Sequence, residues 1–383
     1  MDKKNKNPNV PNLRFNNDPY KKYNLYEFAT RVTRKNKDNV SNLPLTISAQ
    51  YGLVDQVSFF NKTVASKDMS GYYLLKNGEF AYNKSYSNDY PWGAIKRLDL
   101  YDMGCLSTLY ICFKTNDNIV NSNYLAHYFE SSKWHKQVAD IAGEGARNHG
   151  LLNIAVNDFF NTKHAVPTIE NQIKIAGFLD LIEKRIQTQI KIINDYKILK
   201  NHIIKSYIKQ NGTSYLLSEI AELGRGRVIN SAEISKQKNP IYPVYSSQTS
   251  NNGIMGYLDN YDYEGEYITW TTDGANAGTV YYRNGKFNCT NVCGILKIKN
   301  GYDAYYISNI LNCYTKKYVS TNLANPKLMN NVMANIKINL PSIEQQKHSS
   351  KILQSIEYRV EIEEDIKLNL VKQKAFLLKN MFI

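Results

Sequence analysis

Val166-Pro167-Thr168-Ile169-Glu170-Asn171-Gln172 returns, little changed, as Leu340-Pro341-Ser342-Ile343-Glu344-Gln345-Gln346. The two prolines stand 174 residues apart in a chain of 383. Solenoid repeats recur every ~20–50 residues, so this spacing marks a duplicated unit of domain size. Each copy carries helix-start chemistry. Thr168 and Ser342 follow a proline and can cap a helix, and Glu170 and Glu344 fall in the first turn, where the helix dipole favours a carboxylate. Gln345, three residues after Ser342, completes a capping-box pattern, and Asn171 is the weaker match in the first copy. Asn211-Gly212 is a stop signal for the first helix.

Downstream of each start runs an apolar stripe. Ile175, Leu179, Ile182, Ile186, Gln189, Ile193, Tyr196, Lys200, Ile203 and Tyr207 alternate spacings of four and three, a heptad seam. The same repeat lands on Ser349, Leu353, Ile356, Val360, Glu363, Lys367, Leu370, Lys374, Leu377 and Met381. Two polar breaks coincide, Gln189 with Glu363 and Lys200 with Lys374. Such breaks either set register or lie at the wet edge of a wider apolar face. A helix of ~40 residues is ~60 Å long and cannot bury such a stripe alone. The two helices are therefore expected to pair. Connectivity makes the pair antiparallel, with one globule at each end and a pseudo-two-fold between the halves. The expected boundaries are 1–165 for a first globule with a basic N-terminal tail, 166–212 for the first helix, 213–339 for a second globule and 340–383 for the second helix.

Both globules read as mixed α/β. Strand-like runs occur at Tyr72–Leu75, Ser107–Phe113, Gly265–Thr272, Thr279–Arg283 and Ile295–Ile298, and helical patterns at Ser122–Ile141 and Ala304–Val319. Asn284-Gly285, between two runs, is a hairpin signal. The globules resemble each other weakly but in order. Residues 45–51 face 242–248, and Gly71-Tyr72-Tyr73-Leu74-Leu75 faces Gly265-Glu266-Tyr267-Ile268-Thr269.

The net charge of +14 favours polyanionic partners, nucleic acid first. Lysines outnumber arginines 38 to 10, which also fits simple compositional bias, so charge alone does not decide. No run approaches the ~18 apolar residues of a membrane span. The polar, lysine-rich stretch Met1 to Asn9 has no apolar core of a signal peptide. The 5 cysteines read as reduced thiols of a cytoplasmic protein rather than a disulfide frame.

The chain lacks a Walker A lysine motif, H-E-x-x-H and G-x-S-x-G. Cys289 and Cys293 read as core thiols rather than zinc ligands, since no histidine cluster accompanies them. His149 lies in a glycine-rich basic loop without an acid partner. Asn17-Asp18-Pro19-Tyr20 reads as a turn, not as an amino-methyltransferase motif. Gly224-Arg225-Gly226-Arg227 is a basic loop suited to phosphates, or a plain solvated turn.

With these features in order, the chain resembles the specificity subunits of type I restriction–modification systems. Asn9-Val10-Pro11-Asn12-Leu13-Arg14-Phe15 is similar to that family's N-terminal motif, and both P-x-x-E-x-Q openings match the starts of its conserved helices. Leu217-Ser218-Glu219-Ile220-Ala221 resembles the start of a target recognition domain, and Tyr242 to Gly294 resembles a recurrent domain type. The resemblance implies two target recognition domains, each reading half of a bipartite, asymmetric site in double-stranded DNA. It implies helices that set the gap and dock two modification subunits. It also implies two restriction subunits and a chain that is itself non-catalytic and holds no cofactor. S-adenosylmethionine, ATP and magnesium would belong to the partners.

Base reading needs polar side chains in the major groove, and phosphates need cations and amides. The expected DNA-binding residues in the first globule are Ser48, Gln50, Tyr51, Lys84, Ser85, Tyr86, Arg147 and Asn148. In the second they are Arg225, Arg227, Tyr245, Ser246, Ser247, Gln248, Thr249, Thr271, Thr272, Asp273 and Asn276. Trp270 is expected in the core. Two other readings remain at this stage, a self-contained methyltransferase or nuclease with its own recognition domains, and a coiled-coil adaptor without a DNA role. Methyl transfer by the chain alone would establish the first, and absence of methyltransferase partners in a pull-down would favour the second.

Overall fold

The structure, a computed structural model, describes residues 11–15, 19–48, 51–62, 64–87, 90–143, 150–209, 212–320 and 325–383. It divides into two units, Met1–Ile190 with Ile366–Ile383, and Lys191–Asp365. In the first, β1 (Lys21–Asn24), α1 (Leu25–Phe28), β2 (Ala29–Arg31), β3 (Leu45–Ser48), β4 (Gly52–Asp55), α2 (Gln56–Phe60), β5 (Tyr73–Lys76), β6 (Phe80–Asn83), β7 (Ala94–Arg97), β8 (Met103–Leu106), β9 (Ile111–Thr115), α3 (Ser122–Glu130), α4 (His135–Ile141), α5 (Val156–Phe160) and β10 (Lys163–Val166) lead into the long α6 (Ile169–Ile208). The second contains β11 (Thr213–Leu216), α7 (Leu217–Ile220), β12 (Ala221–Arg225), α8 (Ser231–Ser235), β13 (Tyr242–Tyr245), β14 (Ile254–Leu258), β15 (Tyr263–Thr271), β16 (Val280–Cys289), β17 (Cys293–Ile298), α9 (Ala304–Tyr314), α10 (Asn330–Ala334) and β18 (Lys337–Leu340), followed by α11 (Ile343–Met381). Both units are mixed α/β. No helix among the described residues is long and apolar enough to cross a membrane.

Each globule opens and closes on the same device. β1 pairs antiparallel with β10, and β11 with β18. One turn of helix follows each opening strand. The Asn24 amide donates to the Glu27 carboxylate at 2.6 Å, and the Leu216 amide to Glu219 at 2.7 Å. Between these ends the first unit carries a four-stranded sheet, β2-β9-β6-β7, and the second a six-stranded sheet, β12-β17-β15-β16-β13-β14.

Several local expectations shift. The Ser107–Phe113 run is a turn followed by the start of β9. The Ser107 carbonyl accepts from the Tyr110 amide at 3.2 Å, so the polar start of the run turns the chain. Ser122–Ile141 is two helices. The Ser131 hydroxyl caps the Tyr128 carbonyl at 2.6 Å, and the buried Trp134 donates to the Phe129 carbonyl at 3.0 Å. Ala304–Val319 ends its α-helix at Tyr314 and finishes in a 3₁₀ turn. Asn284-Gly285 is no hairpin turn. It lies inside β16, where Gly285 faces Gly265 across the ladder, each with φ of 103°. The facing glycines permit an irregular ladder that residues with a Cβ would strain. The true β15–β16 connection is 272–279.

The stripes of α6 and α11 are the buried faces of these helices. Ile175, Leu179, Ile182 and Ile186 share the first unit's core with Leu370, Leu377, Met381 and Phe382. Ile204 and Leu353 share the second unit's core. Within the second unit, Lys197 pairs with Glu364 at 2.7 Å and Lys200 with Glu357, so the segments run antiparallel. In the first unit, Lys374 bridges Glu183 at 2.7 Å and Glu130 at 2.8 Å. Glu183 and Glu357, like Lys200 and Lys374, are 174 residues apart, so the repeat uses one charge pair twice. The N-terminal motif joins the same place. The Leu13 amide donates to the Asn380 carbonyl at 2.9 Å, and Phe15 meets Phe178 edge-on at 6.0 Å.

Burial pushes the Glu130 carboxyl up, but the nearby His127 ring, 3.8 Å away, and the ammonium groups of Lys96 and Lys374 outweigh it and hold the group well below its usual range. A depressed carboxyl stabilises fully above its unfolded-chain pKa of about 4.3, and that contribution is lost as pH falls through the folded range. Glu130→Gln is therefore expected to lower stability by about 1 kcal/mol at neutral pH, allowing for solvent screening. The deficit should shrink as pH falls below about 4.3. Thermal melts across pH check this, and an equal deficit at every pH would refute it.

The glutamines closing the two P-x-x-E-x-Q motifs anchor the long helices. Gln172 is fully buried. Its amide donates to the carbonyls of Pro167 at 2.9 Å and Ile119 at 3.2 Å, and its oxygen accepts from the Asn121 amide at 2.7 Å. Gln346 donates to the Pro341 carbonyl at 2.8 Å and accepts from the Asp303 amide at 3.1 Å. Asn121 and Asp303 are the N-caps of α3 and α9. One side chain thus joins the start of a long helix to the start of a globular one, twice.

Candidate nucleic-acid interface

The candidate residues of the second unit gather on two hairpin connections. The first joins β13 to β14 through 246–253. The Ser246 amide donates to the Gly253 carbonyl at 2.9 Å, and the Gln248 side-chain amide donates to the Ile254 carbonyl. The loop returns through Asn251, Asn252 and Gly253, all left-handed with φ of 48°, 51° and 84°. The second connection is 272–279. Asn276 donates to the Thr249 hydroxyl at 3.1 Å, so the two loops meet through polar side chains. Thr249 and Asn276 are exposed.

Thr271 and Thr272 are buried and shape this loop from within. Thr271 bonds the Asn276 carbonyl, and the Thr272 hydroxyl shares its one proton between Asp273 at 2.6 Å and the Val292 carbonyl at 2.9 Å. Asp273 lies 3.6 Å from the Lys327 ammonium. Trp270 is fully buried and donates to the Leu328 carbonyl at 3.0 Å. Its ring lies against Gly294, where a Cβ would come within 2.2 Å of it.

The two arginines of the Gly-Arg-Gly-Arg loop differ. Arg227 is tied to Glu233 at 2.7 Å and Asp262 at 3.0 Å, and the Glu233 hydrogen bond raises its pKa. Its charge is locally neutralised. Arg225 bonds the neutral Asn330 oxygen at 3.1 Å and the Met329 sulfur at 3.2 Å, and among the described residues no carboxylate pairs with it. Gly226 lets this turn approach the sheet, since a Cβ there would lie 2.0 Å from the Cys289 carbonyl oxygen.

In the first unit, Lys84, Ser85 and Tyr86 run beside 150–152. The Leu152 amide donates to the Lys84 carbonyl at 2.9 Å, and the Tyr86 amide to the Gly150 carbonyl at 2.7 Å. Burial lowers the Lys84 pKa, and its ammonium donates to the Ile154 carbonyl at 3.3 Å. Ser48 and Tyr51 belong to a separate hairpin, β3–β4. Ser48 is buried and accepts from the Tyr51 amide at 3.2 Å, while the Tyr51 side chain is exposed. Gln50, Arg147, Asn148 and His149 lie outside the described residues, as do Asn17, Asp18 and Asn211.

Sequence reasoning missed Arg283 in β16. It is only 4% exposed, and its guanidinium carbon lies 3.6 Å from the Tyr245 ring centroid and 4.4 Å from that of Tyr281. A cation on the inward face of a strand between aromatic residues was the available signal. Cys289 and Cys293 are buried with Phe287 and Ile295 in a small apolar cluster. Among the described residues no group of three or more His, Cys, Asp or Glu is placed to hold a metal.

Comparison with known proteins bears on this geometry. Residues 211–373 match the family model of the type I restriction modification DNA specificity domain. A Mycoplasma pneumoniae protein named as a type I specificity subunit is 38% identical over 196 residues, which cover 50% of this chain and 81% of that protein. The specificity subunit of the M. pneumoniae type I restriction enzyme MpnII is 39% identical over 172 residues, 44% of this chain and 51% of that protein. In fold, the S subunit of a type I restriction-modification system from M. genitalium superposes with a TM-score of 0.60 at 15% identity, covering 98% of this chain and 99% of that one. A chain from a structure of type I restriction-modification complex assembly gives 0.58 at 15% identity, covering 96% and 99%.

Proposed function

The chain belongs to the type I restriction–modification specificity-subunit family, and from that premise we propose that it is the non-catalytic DNA-reading subunit of such a complex. Each globule reads one half of a bipartite, asymmetric site, and α6 and α11 set the gap and dock two modification subunits. Those partners supply S-adenosylmethionine and adenine methylation. Two restriction subunits using ATP and magnesium complete the complex, which works in the cytoplasm. The observation that carries this reading is the meeting of the 246–253 and 272–279 loops at Thr249 and Asn276. Two polar hairpin tips held together can present amide and hydroxyl groups to base edges in a major groove. The Arg225 guanidinium, which pairs with no carboxylate among the described residues, and the net charge of +14 suit the phosphates.

Sequencing methylated adenines in cells carrying this gene with its partner genes tests the proposal. Two half-sites at a fixed gap are expected, and methylation unchanged when the gene is deleted would refute it. In vitro, affinity should fall at least about 100-fold between ~50 and ~200 mM salt, as phosphate contacts release counterions. Gln248→Ala should relax preference in one half-site by about 1–3 kcal/mol per altered base pair. Equal loss in both halves would make Gln248 a structural residue only.

A further inference from the structure

We propose that Arg283 is the positioning residue of the 246–253 loop, its guanidinium holding the loop's return in the conformation that reads DNA. The inference rests on the reading of that loop as a DNA contact.

Arg283 and Tyr281 are two apart on β16 and share one face of the strand. The guanidinium lies between the Tyr281 and Tyr245 rings, a favourable site for a cation. Its Nε donates to the Thr269 hydroxyl at 3.2 Å, and an Nη donates to the Asn252 carbonyl at 2.9 Å. Ring faces and neutral oxygens meet its charge, and among the described residues no carboxylate pairs with it. A buried cation without a counter-ion is costly, and an apolar side chain would fill the same space more cheaply. What the arginine adds is directed bonding. Asn252 is the middle of three consecutive left-handed residues; asparagine enters that region readily as a single residue, but a run of three persists only where the surroundings hold it. The loop's return lies directly on the guanidinium, since a Cβ on Gly253 would come 3.1 Å from Nη2.

Burial excludes Arg283 from touching a base or phosphate in this conformation, because only 4% of it is exposed. It acts through the loop. Lysine would keep the charge but lose the planar fork that stacks and bonds in two directions at once.

The test uses the full chain assembled with its modification subunits and a random duplex library. Wild type, Arg283→Lys and Arg283→Met are compared by the duplexes they retain, by salt dependence and by hydrogen exchange. Arg283→Lys is expected to fold with a lowered melting temperature and to keep the salt slope. It should lose about tenfold discrimination in one half-site while keeping the other, and amides of 246–253 should exchange faster. Folded variants that keep both half-sites within about twofold would overturn the proposal. So would a salt slope smaller by about one, the mark of a direct phosphate contact. If Arg283→Met does not fold, the lysine variant decides. Wild type selecting no sequence at all would instead sink the DNA-reading function, before any variant is compared.

Discussion

Replacing Gln172 with leucine is expected to cost the first unit about 3 kcal/mol, and Gln346→Leu to cost the second about 2 kcal/mol. Neither site is near water, with Gln172 fully buried and Gln346 2% exposed. Leucine fills the volume but leaves the N-cap amide and the proline carbonyl without partners. A buried group stripped of its partner costs about 1–3 kcal/mol, more than a typical hydrogen bond returns. Gln172 should cost more because it also holds the Ile119 carbonyl. The damage should start locally, at the junction of α6 with α3 or of α11 with α9. Denaturant unfolding followed by hydrogen exchange resolves the units separately. The Asn121 amide should lose protection in the first variant and the Asp303 amide in the second. Losses within about 0.5 kcal/mol, the range of ordinary surface changes, would show that the glutamines do not anchor the helices.

The second large effect is expected at Gly226, with Gly224 as its control. A Cβ on Gly226 would lie 2.0 Å from the Cys289 carbonyl oxygen and 2.3 Å from its carbon, and backbone atoms cannot step aside as a flexible side chain can. Gly226→Ala must push the turn off the sheet. It would break the bonds from the Gly226 amide to Cys293 at 3.3 Å and from the Arg227 amide to Cys289 at 3.1 Å. Overpacking of this kind costs about 1–3 kcal/mol, and the lost bonds add to it. Gly224, two residues earlier, has nothing within 4 Å of the same position, so Gly224→Ala should be near neutral. Thermal melts of the two variants make the comparison. Equal stability would mean that the turn is free to move.

The long helices were legible because a heptad stripe is a one-dimensional signal. Ile175, Leu179, Leu353 and Leu377 are buried as their spacing requires. The polar breaks were legible as positions but not as partners. Lys374 meets Glu183, and also Glu130 from α3, which no spacing rule connects to it. Asn284-Gly285 misled because a turn dipeptide can equally sit where two strands bend together, and only the facing Gly265 distinguishes the cases. Likeness between the globules was partly hidden by their lengths. Tyr23-Asn24-Leu25-Tyr26-Glu27-Phe28-Ala29 matches Tyr215-Leu216-Leu217-Ser218-Glu219-Ile220-Ala221 at a spacing of 192, not 174. Of the candidate site, the second unit's hairpin tips were found from their polar residues. Thr271 and Thr272 were expected to contact DNA but are buried beneath the tips, and Arg283, which was missed, also acts from inside.

The short ladders β1·β10 and β11·β18 bring the two ends of each globule side by side. A segment whose ends are neighbours can be replaced by another of different length and surface without moving the helix it stands on. The requirements on a replacement are few: an opening strand, a capped turn, a closing strand and an N-cap for the anchoring glutamine. Exchange of a whole globule between such ladders can change its surface in one step while α6 and α11 stay as they were.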